Sequence, residues 1–404
     1  MRDFTDRLAA LCASALLASA GAPAHAQHEG HAKAPKAELG TSAAVDPQGR
    51  LWIAFKETAP EGQFVTVQMT SDLGKTWSAP RRIQARPEAV SAEGENRPKI
   101  AFGAKGEMIV SYTKPLSKPY TGEIRLVRSP DGGKQFLPPI TVHANRDLIT
   151  HRFDSLIVDR AGRIYVAWID KRDLEAAKAR KGAAANYRGA ALYYAVSRDG
   201  GATFGGDHKI ADHSCECCRI ALALDADGRV NALWRHVFEP NVRDHATAVL
   251  PPDGKVGRIE RATHEGWRVD ACPHHGPALA FDAKGRRYQA WFNVAGEDGG
   301  VFFASADAGA QPGKPVALGS AQAAHADVAV RGDQVVLAWK QFDGKQTAIL
   351  GRVSADRGAT WKDVELARTG GHSDQPRLVD TPSGIVLVWC TQDGVQVVRA
   401  GGGS

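Results

Sequence analysis

Four cysteines and five histidines of this chain stand in short runs that lie far apart in sequence. The runs are Cys215–Glu216–Cys217–Cys218–Arg219, Cys272–Pro273–His274–His275, His151–Arg152–Phe153–Asp154, His325–Ala326–Asp327 and His372–Ser373–Asp374–Gln375–Pro376–Arg377. Thiolate and imidazole together suit copper or zinc, and a sulfur-rich set favours Cu(I). A Cys-x-Cys-Cys run facing a Cys-x-His-His run could hold an ion, with His151, His325 or His372 completing or orienting the site. These candidates outnumber the ligands of one ion, so some would support the others or belong to a second ion. The competing reading is covalent. In an oxidising compartment Cys272 could bridge to Cys215, Cys217 or Cys218 and simply stiffen the loops. The spacing matches no zinc-finger signature, so the case depends on whether the fold brings the runs together. Cys390 reads as a core thiol, and His28–Glu29–Gly30–His31 as a solvated tail or an auxiliary copper-capturing one.

The element that could bring them together is a repeat. Residues 70–77 (TSDLGKTW), 129–136 (SPDGGKQF), 197–204 (SRDGGATF) and 354–361 (SADRGATW) share the pattern [S/T]-x-D-x-G-x-[T/Q]-[W/F]. A fifth copy, Ser305-x-Asp307-x-Gly309-x-Gln311, lacks only the final aromatic. An Asp carboxylate in such a turn accepts hydrogen bonds from nearby backbone N–H groups. Glycine supplies a backbone conformation that other residues avoid, and the terminal aromatic plugs between neighbouring sheets. The motif resembles the Asp-box, or BNR repeat, of sialidase-like β-propellers. It is a hairpin device and carries no chemistry of its own.

A second repeat runs beside it. Gly49, Gly106, Gly162, Gly228, Gly285, Gly332 and Gly384 recur at intervals of 47 to 66 residues, each dividing two strand-like runs. Each is followed by an aromatic: Phe55, Tyr112, Trp168, Trp234, Trp291, Trp339 and Trp389. A third strand leads into an Asp-box, and a fourth follows, as at Pro80–Ile83, Ile140–His143 and Val364–Ala367. Units of about fifty residues with four strands are propeller blades. The expected fold is an all-β propeller over residues 38–400, with seven blades favoured over the six of known sialidases. The stretch Lys33–Leu39 could supply an outer strand to the short last blade. Helical patterning occurs only around Leu174–Lys181, in the third blade. In a propeller the first strand of each blade lines the central channel, and the loops leading into these strands converge on one face. Every run of the opening paragraph occupies such a loop, as does Glu95–Asn96–Arg97–Pro98.

The resemblance also implies a function that can be checked. A sialidase grips its substrate carboxylate with three arginines, because guanidinium and carboxylate pair in a bidentate way. Arg97, in Asn96–Arg97–Pro98, loosely resembles the family's Arg-Ile-Pro segment, with the order disturbed. Arg152, Arg219 and Arg377 stand before equivalent strands and could complete an anion-binding cluster, or could support neighbouring Asp and Glu residues. The family's nucleophile is a late tyrosine activated by a glutamate. Here the last tyrosine is Tyr288. The closing blades therefore lack that nucleophile, although Asp46, Asp154 or Asp170 could pose as the acid.

Composition bounds the remaining classes. The chain has 404 residues, 43% of them hydrophobic, enough for a large core. Its formal charge of +6 is spread without a Lys/Arg-rich block, which argues against nucleic acid as a partner. An apolar stretch from Leu8 to Ala18 ends at Ala24–His25–Ala26. Residues 1–26 read as a secretory signal cut before Gln27, and 27–37 as a His/Lys-rich leader. The stretch is too short to span a membrane, so a periplasmic or secreted protein is expected, not a membrane-embedded one. Three functions follow as expectations. The first is a metal-binding propeller, copper before zinc, serving metal handling or metal-dependent redox chemistry, with room for a small molecule at the channel mouth. The second is a sialidase-type glycoside hydrolase or glycan-binding propeller. The third is a noncatalytic interaction propeller with disulfide-stabilised loops.

Overall fold

In the computed structural model, residues 39–180, 186–295 and 299–401 are described. The signal segment, the leader and most of Lys33–Leu39 lie outside them. The described chain forms seven antiparallel sheets, each a simple up-and-down meander of consecutive strands. Six sheets have four strands and the last has three, Arg377–Thr381, Gly384–Thr391 and Gly394–Arg399. The first strands are Thr41–Val45, Lys99–Phe102, His151–Val158, Ala221–Leu224, Ala278–Phe281, Ala323–Arg331 and Arg377–Thr381. Each lies beside the next, and the seventh lies beside the first. The ring is therefore closed, and the protein is a seven-bladed β-propeller. Closure places Leu51 and Ile53 of blade 1 in one apolar cluster with Val386 and Val388 of blade 7.

The local reasons for this arrangement are repetitive. The second strand of each blade reads as a nearly unbroken apolar run, such as Ile164–Asp170, because sheets cover both of its faces. Its aromatics Tyr112, Trp168, Trp234, Trp291, Trp339 and Trp389 are buried, and Phe55 is half-buried. The turn into that strand demands the glycine. All seven recurring glycines adopt φ between 58° and 110°, where a Cβ would be strained. In blade 1 the Gly49 N–H donates to the Asp46 carbonyl at 2.8 Å, and the Arg50 N–H to the Asp46 carboxylate at 2.9 Å. The expected helix is Arg172–Ala179, placed between the second and third strands of blade 3.

The four S/T-x-D-x-G turns share one hydrogen-bond pattern. In the turn around Asp356, the Ser354 hydroxyl donates to the carboxylate at 2.7 Å and accepts the Gly358 N–H at 2.7 Å. The Thr360 N–H and hydroxyl donate to the two carboxylate oxygens at 2.8 and 2.6 Å. Trp361 then meets Phe303 of blade 5 edge-on, with centroids 5.4 Å apart, so the turn of one blade locks onto the preceding blade. Hydrogen bonds from threonine and backbone hold the Asp72 and Asp356 carboxyls at about 2, below the ordinary 3.8. At Asp199 slight burial opposes the same donors, and its carboxyl also lies at about 2. Folded values below unfolded ones mean stabilisation that is present above pH 3.8 and fades as pH falls toward 2. The Asp72→Asn/Asp199→Asn/Asp356→Asn variant is expected to melt at a lower temperature at neutral pH. Its melting temperature should also fall less steeply between pH 4 and pH 2. Equal acid slopes in the two proteins, measured by circular dichroism, would contradict this account.

Candidate functional site

Three consecutive residues ahead of the first strand of blade 2 organise the axial face. Glu95 accepts the Arg219 N–H at 3.1 Å and the Gly276 N–H at 2.7 Å through one oxygen. Its other oxygen accepts Nη1 of Arg219 at 3.0 Å and faces Nδ1 of His325 at 3.4 Å. Asn96 Oδ1 accepts the Phe153 N–H at 3.0 Å and the Thr113 hydroxyl at 2.8 Å. Arg97 donates to the Thr41 carbonyl at 2.6 Å, to Asp374 at 2.9 Å and to the Gln375 side chain. Apart from Thr113, in blade 2 itself, these partners belong to the six other blades. Glu95 is 3% exposed, and burial alone would raise its pKa. The Arg219 charge, His325 and the Arg219 N–H outweigh that burial and hold the carboxyl well below the usual range. Gly276 permits the approach, since a Cβ there would lie 2.6 Å from the Glu95 carboxylate and 2.8 Å from the Arg219 nitrogen.

The anion-binding candidates divide. Arg97, Arg219 and Arg377 line an axial cavity of about 120 Å³, together with Lys99, Glu95 and Asp327. Each already has a carboxylate: Arg97 has Asp374 at 2.9 Å, Arg219 has Glu95 at 3.0 Å, and Arg377 has Asp327 at 3.5 Å. Arg152 is not among the residues lining that cavity; it pairs with Glu93 and lies over the Phe153 ring. Burial pushes the Lys99 ammonium down to about 8, with Asp154 opposing and Arg97 and Arg377 reinforcing the shift.

The thiols gather most closely. Cys215, Cys217 and Cys218 are 2%, 4% and 3% exposed, packed into the core shared by blades 3 and 4. Their sulfurs all lie within 4.8 Å of one another. The Cys215–Cys217 and Cys215–Cys218 separations are 3.7 and 3.5 Å. A disulfide requires about 2.05 Å, and all five described cysteines are free. Thiolates bound to one ion at about 2.3 Å stand roughly 3.8–4.0 Å apart, so the cluster needs only a small adjustment to hold one. Hydrogen bonds from Cys217 and Cys218, then the Arg235 charge, push the Cys215 thiol down, whereas Cys217 and Cys218 are pushed up as the donors. Arg243 Nη1 lies 3.8 Å from the Cys215 sulfur. Cys272, from the loop leading into blade 5, is exposed and is not a member of that group of three.

The histidines are placed elsewhere. Among the described residues, the three cysteines alone form a group of three or more donors with ligand spacing. His275 and His325 form a pair with ring centroids 4.2 Å apart, anchored on Glu95 through His325. Burial lowers both, His275 to about 3, so the imidazoles are neutral near pH 7. His151 is fully buried and stacked on His143 at 3.9 Å, with Nε2 3.1 Å from Asn145 Oδ1. His274 is exposed with φ 57°. His372 pairs its backbone with Gln392. Cys390 is half-buried on the second strand of blade 7. The blade-entry runs contain Glu95, Asp327 and Asp374 without telling which arginine or histidine each meets, and Arg235 and Arg243 beside the thiols stand outside those runs. The usable signal was an acidic residue within two positions of an arginine or histidine ahead of a first strand.

With this geometry in hand, the chain can be set beside known proteins. No protein-family model matches it, and no curated protein matches it. Solved structures do. An ulvan lyase from a polysaccharide lyase family matches with TM-score 0.55 and 12% identity, over 91% of this chain and 93% of that one. An α-L-arabinofuranosidase from Fusarium graminearum matches with TM-score 0.51 and 14% identity, over 78% and 92%. The NanB sialidase from Streptococcus pneumoniae matches with TM-score 0.48 and 9% identity, over 81% and 68%. At these identities the first two support the propeller fold alone, and the sialidase match is too distant to carry an argument. None of the three speaks for copper.

Removing Glu95 tests the axial tie. Glu95→Ala leaves the Arg219 guanidinium buried and unpaired and is expected to cost about 3–5 kcal/mol in urea unfolding. Glu95→Gln, which keeps the shape and some of the hydrogen bonds, is expected to cost less. Gly276→Ala, which crowds the same carboxylate, should also destabilise. Wild-type stability in both Glu95→Ala and Gly276→Ala would show that the tie is dispensable.

Proposed function

We propose that the cysteine cluster is a soft-metal site and that the protein is a metal-binding propeller. The observation that carries this reading is the mutual approach of three buried thiols within 4.8 Å, at separations near those of bound thiolates. Cu(I) fits the donor set best, because three sulfurs without an oxygen donor favour a soft ion. Arg235 and Arg243 would offset the charge of a thiolate complex. Zinc is the alternative and requires a fourth ligand, for which Cys272, in the loop before blade 5, is the candidate. His275 and His325 would then act beside the ion or hold a second one. The role is metal handling or redox chemistry outside the cytoplasm, consistent with the N-terminal signal pattern and with His28 and His31 as a capturing tail. Because bound thiolates must lose their protons, affinity should fall as pH is lowered.

The second reading is a glycan-active propeller, glycosidase or glycan binder, favoured by the kind of solved structure that the fold matches. It would place an anionic sugar against Arg97, Arg219 and Arg377. Those arginines would have to exchange their present carboxylates for the substrate's, and the 120 Å³ cavity would have to open.

Anaerobic reconstitution of the reduced mature chain, followed by elemental analysis, tests the first reading. About one Cu(I) per chain is expected. Affinity should fall at least ~10-fold in Cys217→Ser/Cys218→Ser, while Cys272→Ser should weaken zinc far more than Cu(I). A folded, reduced chain that retains neither ion would refute it. Turnover or binding of a fluorogenic sialoside, an arabinofuranoside or an anionic polysaccharide, lost in Arg219→Lys, would establish the second.

A further inference from the structure

Four of the five S/T-x-D-x-G turns end on an aromatic, and each aromatic packs with the preceding blade. Trp77 joins the cluster that holds Val386 and Val388 of blade 7, Phe136 the one that holds Trp52 of blade 1, and Phe204 the one that holds Leu126 of blade 2. Trp361 meets Phe303 of blade 5. The turn of blade 5 breaks the pattern, since Pro312 stands at the aromatic position. The wall facing it has changed too. In blade 2 the third and fourth strands pair Leu126 with Ile140, and in blade 5 they pair Phe303 with Val316. The corresponding pair in blade 4 is Thr247 and Glu260, at the register set by Leu233 beside Trp234. A cavity of about 840 Å³ opens at this seam, lined by residues 258–265 of blade 4 and by Trp291, Ala304 and residues 311–315 of blade 5. That is the size of a small-molecule site. No residue of the axial cavity or of the thiol cluster lines it.

Two of the lining residues carry buried polar atoms that have no partner among the described residues. They are Nε1 of Trp291, on a side chain 1% exposed, and Oε1 of Glu265. Such groups cost stability while they stay unpaired. At the mouth Arg258 and Lys314 are exposed and form no ion pair with a described residue, whereas Arg261 is held by Asp244 and the Glu260 charge acts on Arg287. We propose that the seam between blades 4 and 5 binds a planar aromatic acid. The ring takes the place that an aromatic side chain fills at the other four turns, beside Ala304 and Trp291. The acid group pairs with Arg258 and Lys314. Glu265 accepts a hydrogen bond from a ring N–H, which makes an indole acid a suitable probe.

The test is calorimetric titration of the mature chain with indole-3-acetate, with indole and cyclohexaneacetate as comparison probes. One indole-3-acetate per chain is expected, and each comparison probe should bind at least ~10-fold more weakly, since one lacks the acid and the other the planar ring. Pro312→Trp restores the plug and should weaken indole-3-acetate at least ~10-fold while raising the melting temperature. Arg258→Ala/Lys314→Ala, confined to exposed positions, should bring indole-3-acetate down to the affinity of indole and leave indole itself unchanged. This second variant decides the matter even where Pro312→Trp does not fold. No binding of indole-3-acetate would overturn the proposal. So would equal binding of cyclohexaneacetate, or undiminished affinity for indole-3-acetate in Arg258→Ala/Lys314→Ala.

Discussion

The buried carboxylate of Glu95 is the constraint around which the axial face is arranged. It stands ahead of the first strand of blade 2 and is held by Arg219, Gly276 and His325, which belong to blades 4, 5 and 6. An ionised carboxylate out of water is tolerable only when charge and hydrogen bonds replace its hydration. Here they come from three different blades, so its position depends on the closed ring. Asn96 and Arg97, next in sequence, extend the same tie to blades 3, 1 and 7. A propeller closes by packing between neighbouring sheets, and a polar clasp across the axis adds contacts between blades that are not neighbours.

That clasp decides what the axial arginines can do. Three guanidiniums around a central cavity look like an anion receptor, and in sequence they invite that reading. In the folded protein each is matched by its own carboxylate, and the space between them holds about 120 Å³. The clustered thiols lie in the core shared by blades 3 and 4. There the Cys215–Cys218 turn buries three thiols against apolar neighbours. Low exposure limits access by oxidants to the inner thiols, and the nearby arginines favour thiolate.

A shared fold does not carry a shared function. Propellers of related shape serve carbohydrate chemistry in the ulvan lyase and the arabinofuranosidase, at 12% and 14% identity to this chain. Such identities transmit the meander of each blade and the ring it builds, but not the side chains that project at the axis. No tyrosine follows Tyr288, and Tyr288 itself hydrogen-bonds Asp282 of its own blade at 3.1 Å and the Arg357 carbonyl of blade 6 at 3.2 Å.

Much of the architecture was legible from the chain alone. Glycines at φ above zero, aromatics a few residues later and four S/T-x-D-x-G turns report local demands of backbone and hairpin. Local demands are written in neighbouring residues, which is why seven blades and the helix near Leu174 could be read from spacing. The meeting of Arg97, Arg219 and Arg377 at the axis followed from that register. Tertiary structure alone decided which members of each set touch. It placed His151 against His143 and away from the thiols, paired His275 with His325, and gave every axial arginine a carboxylate from another blade. Those outcomes depend on side-chain directions over a few ångströms between residues up to 277 positions apart, and no periodicity in a sequence records such directions.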